Sequence, residues 1–269
     1  MKKLLFLICF ISTGVYADGA YALYDYEQQE YQVSFNTREV RPIASITKLF
    51  TAITILRSGV ELTEKVRVTG RSSGRFPNGM RVSRHDLMRA MMISSDNRAA
   101  ETLAHTYPGG FDAFIQDTNA YIQGRGLINT RIEEPTGLSK LNVSTATELI
   151  SFIGAVKDNE ALRSYADEKT ADILIPRGKK QIHIKLHNTN PSIFKFDNIL
   201  ISKTGYTDPA GRCVVMLVEK DRKYYGIVVL GQKNVKERSE LANVLIAKPP
   251  LPIKPVVREA DPIQFEWAM

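Results

Sequence analysis

The sequence is poor in the residues that build metal and disulfide sites. Only two of its 269 residues are cysteines, which is too few for a disulfide framework or a cysteine-rich zinc site. The four histidines form no His-Glu-x-x-His pattern, and no Gly-x-x-x-x-Gly-Lys-Ser/Thr loop is present. The sequence therefore gives little support to a metalloprotease or a nucleotide-binding protein.

Long apolar runs are also scarce. The run Leu4–Ile11 follows Lys2 and Lys3 and precedes Val15-Tyr16-Ala17, which fits a small-x-small cleavage site. This layout is typical of a secretory signal peptide and predicts one over residues 1–17. The run is well short of the roughly 20 residues that span a bilayer, and no later segment is apolar enough. We therefore expect an exported protein with no stable membrane anchor.

Positive charge is only moderately in excess, with 36 Lys and Arg against 29 Asp and Glu. The densest basic run, Arg177–Lys185, contains little aromatic interleaving, so we expect a solvated hairpin and no nucleic-acid binding. Cleavage of the signal peptide leaves Cys213 as the only cysteine, so no internal disulfide can form. It lies in the apolar run Cys213–Val218 and is expected to be a small buried hydrophobe.

The order of the predicted elements indicates an α+β fold. Alternating residues over 20–36 predict two strands, and strands return after about residue 170, including a hairpin around Asp221-Arg222. Helical patterns fill the middle of the chain, and the pattern over Ser45–Arg57 is apolar nearly all round, as in a central helix. We expect an antiparallel sheet flanked by helices, closed by the N- and C-terminal strands, plus a helical subdomain.

The predicted organisation has three parts. Residues 1–17 are the signal peptide, and residues 18–248 form one domain whose helical lobe covers about residues 60–165. Residues 249–269 form a proline-rich tail that we expect to be extended. There is no internal repeat and no obvious linker.

The segment Ser45-Ile46-Thr47-Lys48 places a hydroxyl and an amine one helical turn apart. A serine nucleophile needs a group that accepts its proton, and a lysine three residues on can reach it. An ordinary lysine has a pKa of about 10.4, so burial must lower the pKa towards about 7 to make the amine a base at neutral pH. Such a motif also occurs by chance about once in a chain of this size, so alone it is weak.

Two further short motifs follow in the chain. Ser95-Asp96-Asn97 lies in the break between two predicted helices, where it is also compatible with a plain loop and helix cap. Lys203-Thr204-Gly205 ends the predicted strand that begins with Ile199–Ile201. Lysine and threonine side chains can bind a carboxylate, and a glycine lets a ligand lie close to the backbone.

These three motifs, in this order and behind an export signal, resemble the low-molecular-weight penicillin-binding proteins of the D-alanyl-D-alanine carboxypeptidase family. The resemblance covers about residues 20–245 and extends to that family's endopeptidase branch. It is also carried by the segments Ile43–Leu49, Asn97–Ala100, Leu103–Gly110, Glu134–Ser139, Asn142–Ala146 and Lys203–Cys213. It implies a β-lactamase/transpeptidase-like fold, a periplasmic location and no metal or organic cofactor.

The resemblance also implies a role for each residue. Ser45 attacks a D-alanyl carbonyl, Lys48 accepts its proton, and Ser95 passes a proton to the leaving amine. The expected substrate-binding residues are Asn97, Lys203, Thr204 and Gly205, and the expected oxyanion-hole donors are the backbone N–H groups of Ser45 and Tyr206.

The function so implied is a serine DD-peptidase that cleaves D-Ala–diaminopimelate cross-links and is acylated by β-lactams. A D-alanyl-D-alanine carboxypeptidase is the first alternative, because both leaving groups carry a carboxylate on a D centre. A class A-like β-lactamase is disfavoured, since Leu138 stands where the deacylating glutamate would be and Glu133 and Glu134 are out of register. A non-catalytic wall-binding protein is the last alternative. Peptidoglycan stem peptides and β-lactams are the expected ligands; protein partners are unassigned.

Overall fold

The computed structural model describes residues 19–177 and 180–247, and its central feature is a five-stranded antiparallel sheet. The strands are β1 Ala20–Asp25, β2 Glu30–Phe35, β9 Ile199–Thr207, β10 Gly211–Lys220 and β11 Lys223–Gln232. Their spatial order is β2-β1-β11-β10-β9, so the sheet joins the two ends of the chain. β9 is consequently an edge strand, with β10 as its only neighbour in this sheet.

Strands β10 and β11 are apolar along most of their length because both faces of the sheet are covered. Neighbouring residues of a strand point to opposite faces. Val215 and Val228 face the large core, whereas Val214 and Val229 face a second cluster that includes Leu241. The turn between the strands has φ values of 52° and 61° at Asp221 and Arg222, as expected for a tight two-residue hairpin.

The described residues contain seven helices. They are α1 Thr47–Arg57, α2 Arg84–Ile93, α3 Asn97–His105, α4 Gly110–Gln123, α5 Ala146–Val156, α6 Glu160–Ala166 and α7 Val235–Ala247. Of these, α5, α6 and α7 pack against the sheet. Helix α1 is buried at every residue from Thr47 to Ile55, which explains its nearly uniform apolar pattern. Helix α7 alone of these covers the second apolar cluster.

Three small antiparallel pairs complete the described strands. They are β3 Arg41–Pro42 with β6 Val143–Ser144, β4 Lys65–Arg67 with β5 Arg81–Ser83, and β7 Thr170–Arg177 with β8 Lys180–His187. Within residues 19–177 and 180–247, no helix has both the length and the apolarity that crossing a bilayer requires.

The predicted fold class is confirmed: the protein is α+β, with strands from both ends of the chain in one antiparallel sheet. Cys213 is buried and carries a free thiol, as predicted. The signal peptide and the proline-rich tail lie outside the described residues, so they and the domain limits stay predictions.

Two local predictions need correction. The strand that Lys203-Thr204-Gly205 was expected to end continues past the motif to Thr207, because β10 pairs with it there. Helix α1 begins at Thr47, and Ser45 lies in the preceding 3-10 turn, Ala44–Ile46.

Candidate active site

Ser45 is held in a constrained turn at the start of α1. Ala44, directly before it, has a φ of 46°, which is unusual for a residue with a side chain. Gly137 packs against this turn so closely that a Cβ there would lie 2.0 Å from the Ala44 carbonyl oxygen. The Ser45 Oγ lies 2.9 Å from the Lys48 Nζ. The predicted hydroxyl–amine pair is therefore in direct contact.

The Lys48 side chain is completely buried and has three oxygen partners. Besides Ser45, its Nζ donates to the Asn97 Oδ1 at 2.7 Å and to the Thr136 carbonyl oxygen. Burial lowers the pKa of Lys48 to about 7, although the negative charge of Glu134 partly opposes this. The amine is consequently neutral in a large fraction of molecules at neutral pH.

The hydrogen-bond pattern around Lys48 suits the neutral amine. A neutral amine has two hydrogens and one lone pair. Asn97 Oδ1 and the Thr136 carbonyl are acceptors only, so they take the two hydrogens. The lone pair is then left for the hydroxyl hydrogen of Ser45. This arrangement is that of a general base aimed at a nucleophile.

Ser95 and Asn97 flank the start of α3. Ser95 has a φ of 59° in the break between α2 and α3, a backbone shape that side chains seldom adopt. Asp96 caps α3 through the Ala99 N–H at 2.8 Å and also accepts from the Arg75 N–H at 2.6 Å. The carboxylate of Asp96 thus fixes the backbone, and its two neighbours point their side chains at the two lysines.

Lys203 is buried in β9 and contacts the second motif. Its Nζ donates to the Ser95 Oγ at 3.0 Å and to the Thr204 carbonyl at 3.0 Å. Burial holds the pKa of Lys203 well below its ordinary value, and the charges of Lys48 and Arg238 lower it further. A carboxylate bound here would favour the charged form. The Thr204 hydroxyl is paired with the Thr189 hydroxyl at 2.6 Å.

The absence of a side chain at Gly205 brings β9 against the nucleophile turn. A Cβ at Gly205 would lie 2.9 Å from the Ser45 backbone nitrogen and 3.0 Å from the Ile43 carbonyl oxygen. The next residue, Tyr206, follows in the strand with its side chain half exposed. The two backbone nitrogens expected to form the oxyanion hole therefore belong to segments in close contact.

The structure thus brings the three predicted motifs together around one cleft. Lys48 joins Ser45 to Asn97, and Lys203 joins Ser95 to β9. In the described part of the chain, no group of three or more His, Cys, Asp or Glu side chains could hold a metal ion.

Three contributors to the site were not predicted from the sequence. The first is the backbone carbonyl of Thr136, which no pattern of side chains in the sequence could indicate. Glu134 lay in a segment that supported the resemblance, but its contacts could not be foreseen. Its carboxylate accepts from five donors: Thr136 N, Thr136 Oγ1, Gly137 N, Ser139 N and Asn142 Nδ2. Glu134 thereby shapes the loop that presents the Thr136 carbonyl to Lys48.

Arg238 is the third contributor to the site that was not predicted from the sequence. It lies on the buried face of α7, is 4% exposed, and donates to the Ser239 Oγ. Burial and the charge of Arg212 lower the pKa of Arg238 to about 10, which still leaves it charged at neutral pH. The only signal in the sequence was an arginine on the apolar face of α7, in register with Leu241 and Leu245.

Comparisons with known proteins agree with this site. A family model described as D-alanyl-D-alanine carboxypeptidase (peptidase S11) matches residues 14–234. The D-alanyl-D-alanine endopeptidase of Escherichia coli K12 is 36% identical over 222 residues, covering 80% of this chain and 71% of that protein. The Pseudomonas aeruginosa PAO1 protein of the same name is 38% identical over 224 residues, with the same two coverages.

Solved structures show the same fold. The crystal structure of the Streptomyces K15 DD-transpeptidase has a TM-score of 0.79 at 22% identity, covering 87% of this chain and 96% of that one. Penicillin-binding protein D2 of Listeria monocytogenes, solved with cefotaxime bound, has a TM-score of 0.75 at 24% identity, covering 91% and 98%.

The resemblance to the endopeptidase branch, that of penicillin-binding protein 7, is confirmed by the names of the relatives. The family match extends over most of the chain, and two relatives exceed 30% identity. The chain belongs to the D-alanyl-D-alanine carboxypeptidase family of serine DD-peptidases.

Proposed function

We propose that this serine DD-peptidase hydrolyses the D-alanyl–diaminopimelate cross-links of peptidoglycan through an acyl-enzyme on Ser45. The observation that carries the mechanism is the contact of the buried Lys48 Nζ with the Ser45 Oγ, in a site whose burial lowers the pKa of the amine to about 7. The neutral amine takes the hydroxyl proton while Ser45 Oγ attacks the D-alanyl carbonyl. Water then releases the acyl group.

The carboxylate beside the scissile bond is assigned to Lys203 and Thr204. Lys203 has two hydrogen-bond acceptors in the described structure and three ammonium hydrogens, so one hydrogen is available to a ligand. Ser95, which accepts from Lys203, is placed to pass a proton to the leaving amine. Asn97 positions the stem peptide next to Lys48, and the backbone N–H groups of Ser45 and Tyr206 stabilise the developing oxyanion.

The edge position of β9 suits an extended peptide. An edge strand presents N–H and C=O groups that can pair with a substrate backbone. Gly205 keeps the strand close to Ser45, so a peptide aligned along β9 would bring its carbonyl near the nucleophile.

Endopeptidase activity is preferred over carboxypeptidase activity on the relatives' names. The relatives at 36% and 38% identity are both named endopeptidases, whereas those named carboxypeptidases are 26–28% identical. The site itself allows both, because the carboxylate next to the bond sits on a D centre in either substrate.

Rapid β-lactam hydrolysis is disfavoured by the surroundings of Glu134. Its carboxylate accepts hydrogen bonds from five donors, four of them in its own loop, so it is not free to activate a water molecule. Leu138, at the position expected for a deacylating glutamate, has an apolar, half-exposed side chain that cannot act as a base. We therefore propose that β-lactams acylate Ser45 and leave slowly.

Purified cross-linked muropeptide dimers, analysed by mass spectrometry, test the proposal. The protein should convert dimers to monomers, and Ser45→Ala should abolish both this conversion and labelling by fluorescent penicillin. Asn78→Asp serves as the control, because the exposed Asn78 side chain hydrogen-bonds the Gly70 carbonyl and no residue assigned to the site. Release of free D-alanine from pentapeptides without dimer cleavage would replace the proposal by the carboxypeptidase alternative.

A further inference from the structure

A groove of about 430 Å³ begins at the active site and leads away from it. Its inner end is Thr136, whose carbonyl oxygen is within 3.3 Å of the Ser45 Oγ. Its volume is within the range of about 300–1,000 Å³ that small-ligand sites have. Thr136 therefore connects the nucleophile to this groove.

The walls of the groove are apolar. Pro135 and Leu138 line one part, and the Leu138 side chain is 55% exposed although it borders a concave surface. Phe111 lines another part, and its ring packs on that of His105 with centroids 5.0 Å apart. An aliphatic chain would bury apolar surface along these side chains.

Opposite charges also line the groove. Glu101 is held in place by the Ser72 N–H at 3.0 Å and the Ser72 hydroxyl at 2.8 Å, both neutral donors, so its negative charge is not compensated by them. Arg71 also lines the groove and forms no ion pair within residues 19–177 and 180–247. The groove therefore combines apolar side chains with the positive charge of Arg71 and the negative charge of Glu101.

We propose that this groove binds the side chain of diaminopimelate in the donor stem peptide, whose D-alanyl group acylates Ser45. That side chain is a short aliphatic chain ending in a carbon that bears both an ammonium and a carboxylate. Arg71 binds the carboxylate, Glu101 binds the ammonium, and Leu138 and Phe111 contact the methylene groups. The inference rests on the proposed function and adds a specificity site to it.

Two synthetic donor peptides test the assignment. They share the same scissile D-alanyl bond, and one has diaminopimelate where the other has lysine, which lacks the side-chain carboxylate. The wild type should favour the diaminopimelate peptide in kcat/KM by about tenfold, the size expected of one hydrogen bond between charged groups. Arg71→Gln should lower kcat/KM for this peptide to that for the lysine peptide. Glu101→Gln should lower kcat/KM for both, because both side chains carry an ammonium.

Arg67→Gln is the matched control, since Arg67 is an exposed arginine nearby that lines a different depression. It should keep the tenfold preference. The rate of acylation by benzylpenicillin is measured for every variant, because it reports an intact Ser45 independently of the donor side chain.

Equal kcat/KM values for the two peptides in the wild type would overturn the groove assignment and leave the peptidase proposal standing. An unchanged preference in Arg71→Gln would overturn it as well. If the wild type is acylated by benzylpenicillin but cleaves neither peptide, the proposed function fails and the inference fails with it.

Discussion

Lys48 determines how acylation depends on pH. Its lowered pKa of about 7 arises from burial, since the carboxylates of Glu134, Asp96 and Glu101 would raise it. Only the neutral form accepts the Ser45 proton. Acylation must therefore fall as the pH drops through the pKa of Lys48 and level off above it.

The acylation rate with benzylpenicillin should increase about tenfold between pH 6 and pH 8, because the neutral fraction of a base with a pKa of about 7 rises by that factor. Stopped-flow or fluorescent-penicillin measurements at constant ionic strength give the profile. A rate that is flat from pH 6 to pH 8 would contradict Lys48 as the titrating base.

The contact between Asn97 and Lys48 gives a second prediction, which concerns the pH at which acylation falls. Its Oδ1 is 2.7 Å from the Lys48 Nζ, so Asn97→Asp would place a carboxylate there. An anion at this distance favours the protonated amine and raises the pKa of Lys48. The acidic limb of the acylation profile should move to higher pH by at least about one unit.

Asn78→Asp supplies the comparison for this shift. It introduces the same charge in an exposed loop, where the Asn78 amide donates to the Gly70 carbonyl. Its profile should overlay that of the wild type. A shift of equal size in both variants would mean that net charge, and not contact with Lys48, controls the titration.

Single residues were predictable from the sequence where a side chain carries the chemistry. Ser45, Lys48 and Lys203 were identified, and the structure places their side chains around one cleft. The carbonyl of Thr136 could not be predicted because every residue has one, and only the path of the loop brings this one to Lys48. Thr189 was missed for a similar reason: its contact with Thr204 joins segments that no local pattern relates.

The loop of residues 134–139 packs against the turn that carries Ser45 and holds that turn in position. Gly137 has a φ of 86°, and a Cβ there would lie 2.7 Å from the Ser45 backbone nitrogen in addition to its clash with Ala44. Gly126 also has a positive φ, 70°, but a Cβ there would meet nothing within 4 Å. Substituting each glycine by alanine therefore distinguishes the effect of backbone strain alone from the effect of displacing the Ser45 turn.

Gly126→Ala should lose about 1–2 kcal/mol of stability, because alanine is strained in the left-handed region. Gly137→Ala should lose more, because its Cβ would also overlap the Ala44 carbonyl. Gly137→Ala should in addition lower the acylation rate at least about 100-fold, since a displacement of about 1 Å at a reacting centre has that effect. Thermal unfolding and penicillin acylation are measured on each purified variant. Similar acylation rates in both would show that the loop does not position Ser45.

Elements were predictable where periodicity and end signals agreed. Ser83 and Asp86 are a serine and an acid three residues apart, which indicates a helix start, and Ser83 caps α2 by accepting from the Asp86 N–H. The seven-residue helix α6 was missed because it is too short for a 3.6-residue period to stand out. The strand β9 was predicted too short, because Lys-Thr-Gly is a poor strand sequence that its pairing with β10 nevertheless extends.

At the scale of the whole molecule, we propose that residues 1–17 are a signal peptide that is removed on export to the periplasm. The periplasmic fraction of expressing bacteria should contain a chain that begins at Asp18, as intact mass spectrometry can establish. Ala17→Asp should block processing, because the cleavage site requires a small residue there.

Tyr16→Phe is the matched control, since the middle position of a small-x-small site is unrestricted, and it should be processed normally. A mature chain that still carries the N-terminal lysines in the wild type would contradict the proposal.

The overall arrangement was predictable because strands at both ends and helices between them leave few ways to close one sheet. The hairpin of β7 and β8 was expected at the basic run Arg177–Lys185. The other two small strand pairs were not predicted as pairs, because their strands comprise only two or three residues. Their pairing depends on where the helices bring them, which a local sequence pattern does not encode.

The pairing of β1 with β11 has a consequence for the time at which the protein becomes active. Ser45 and Lys48 are synthesised early, but β9, which holds Lys203, follows more than half a chain later. β10 and β11 must follow in turn, because they connect β9 to β1 in the sheet. A nascent polypeptide that lacks these strands therefore contains the nucleophile without the rest of its cleft. The catalytic cleft is complete only after the C-terminal strands have been synthesised.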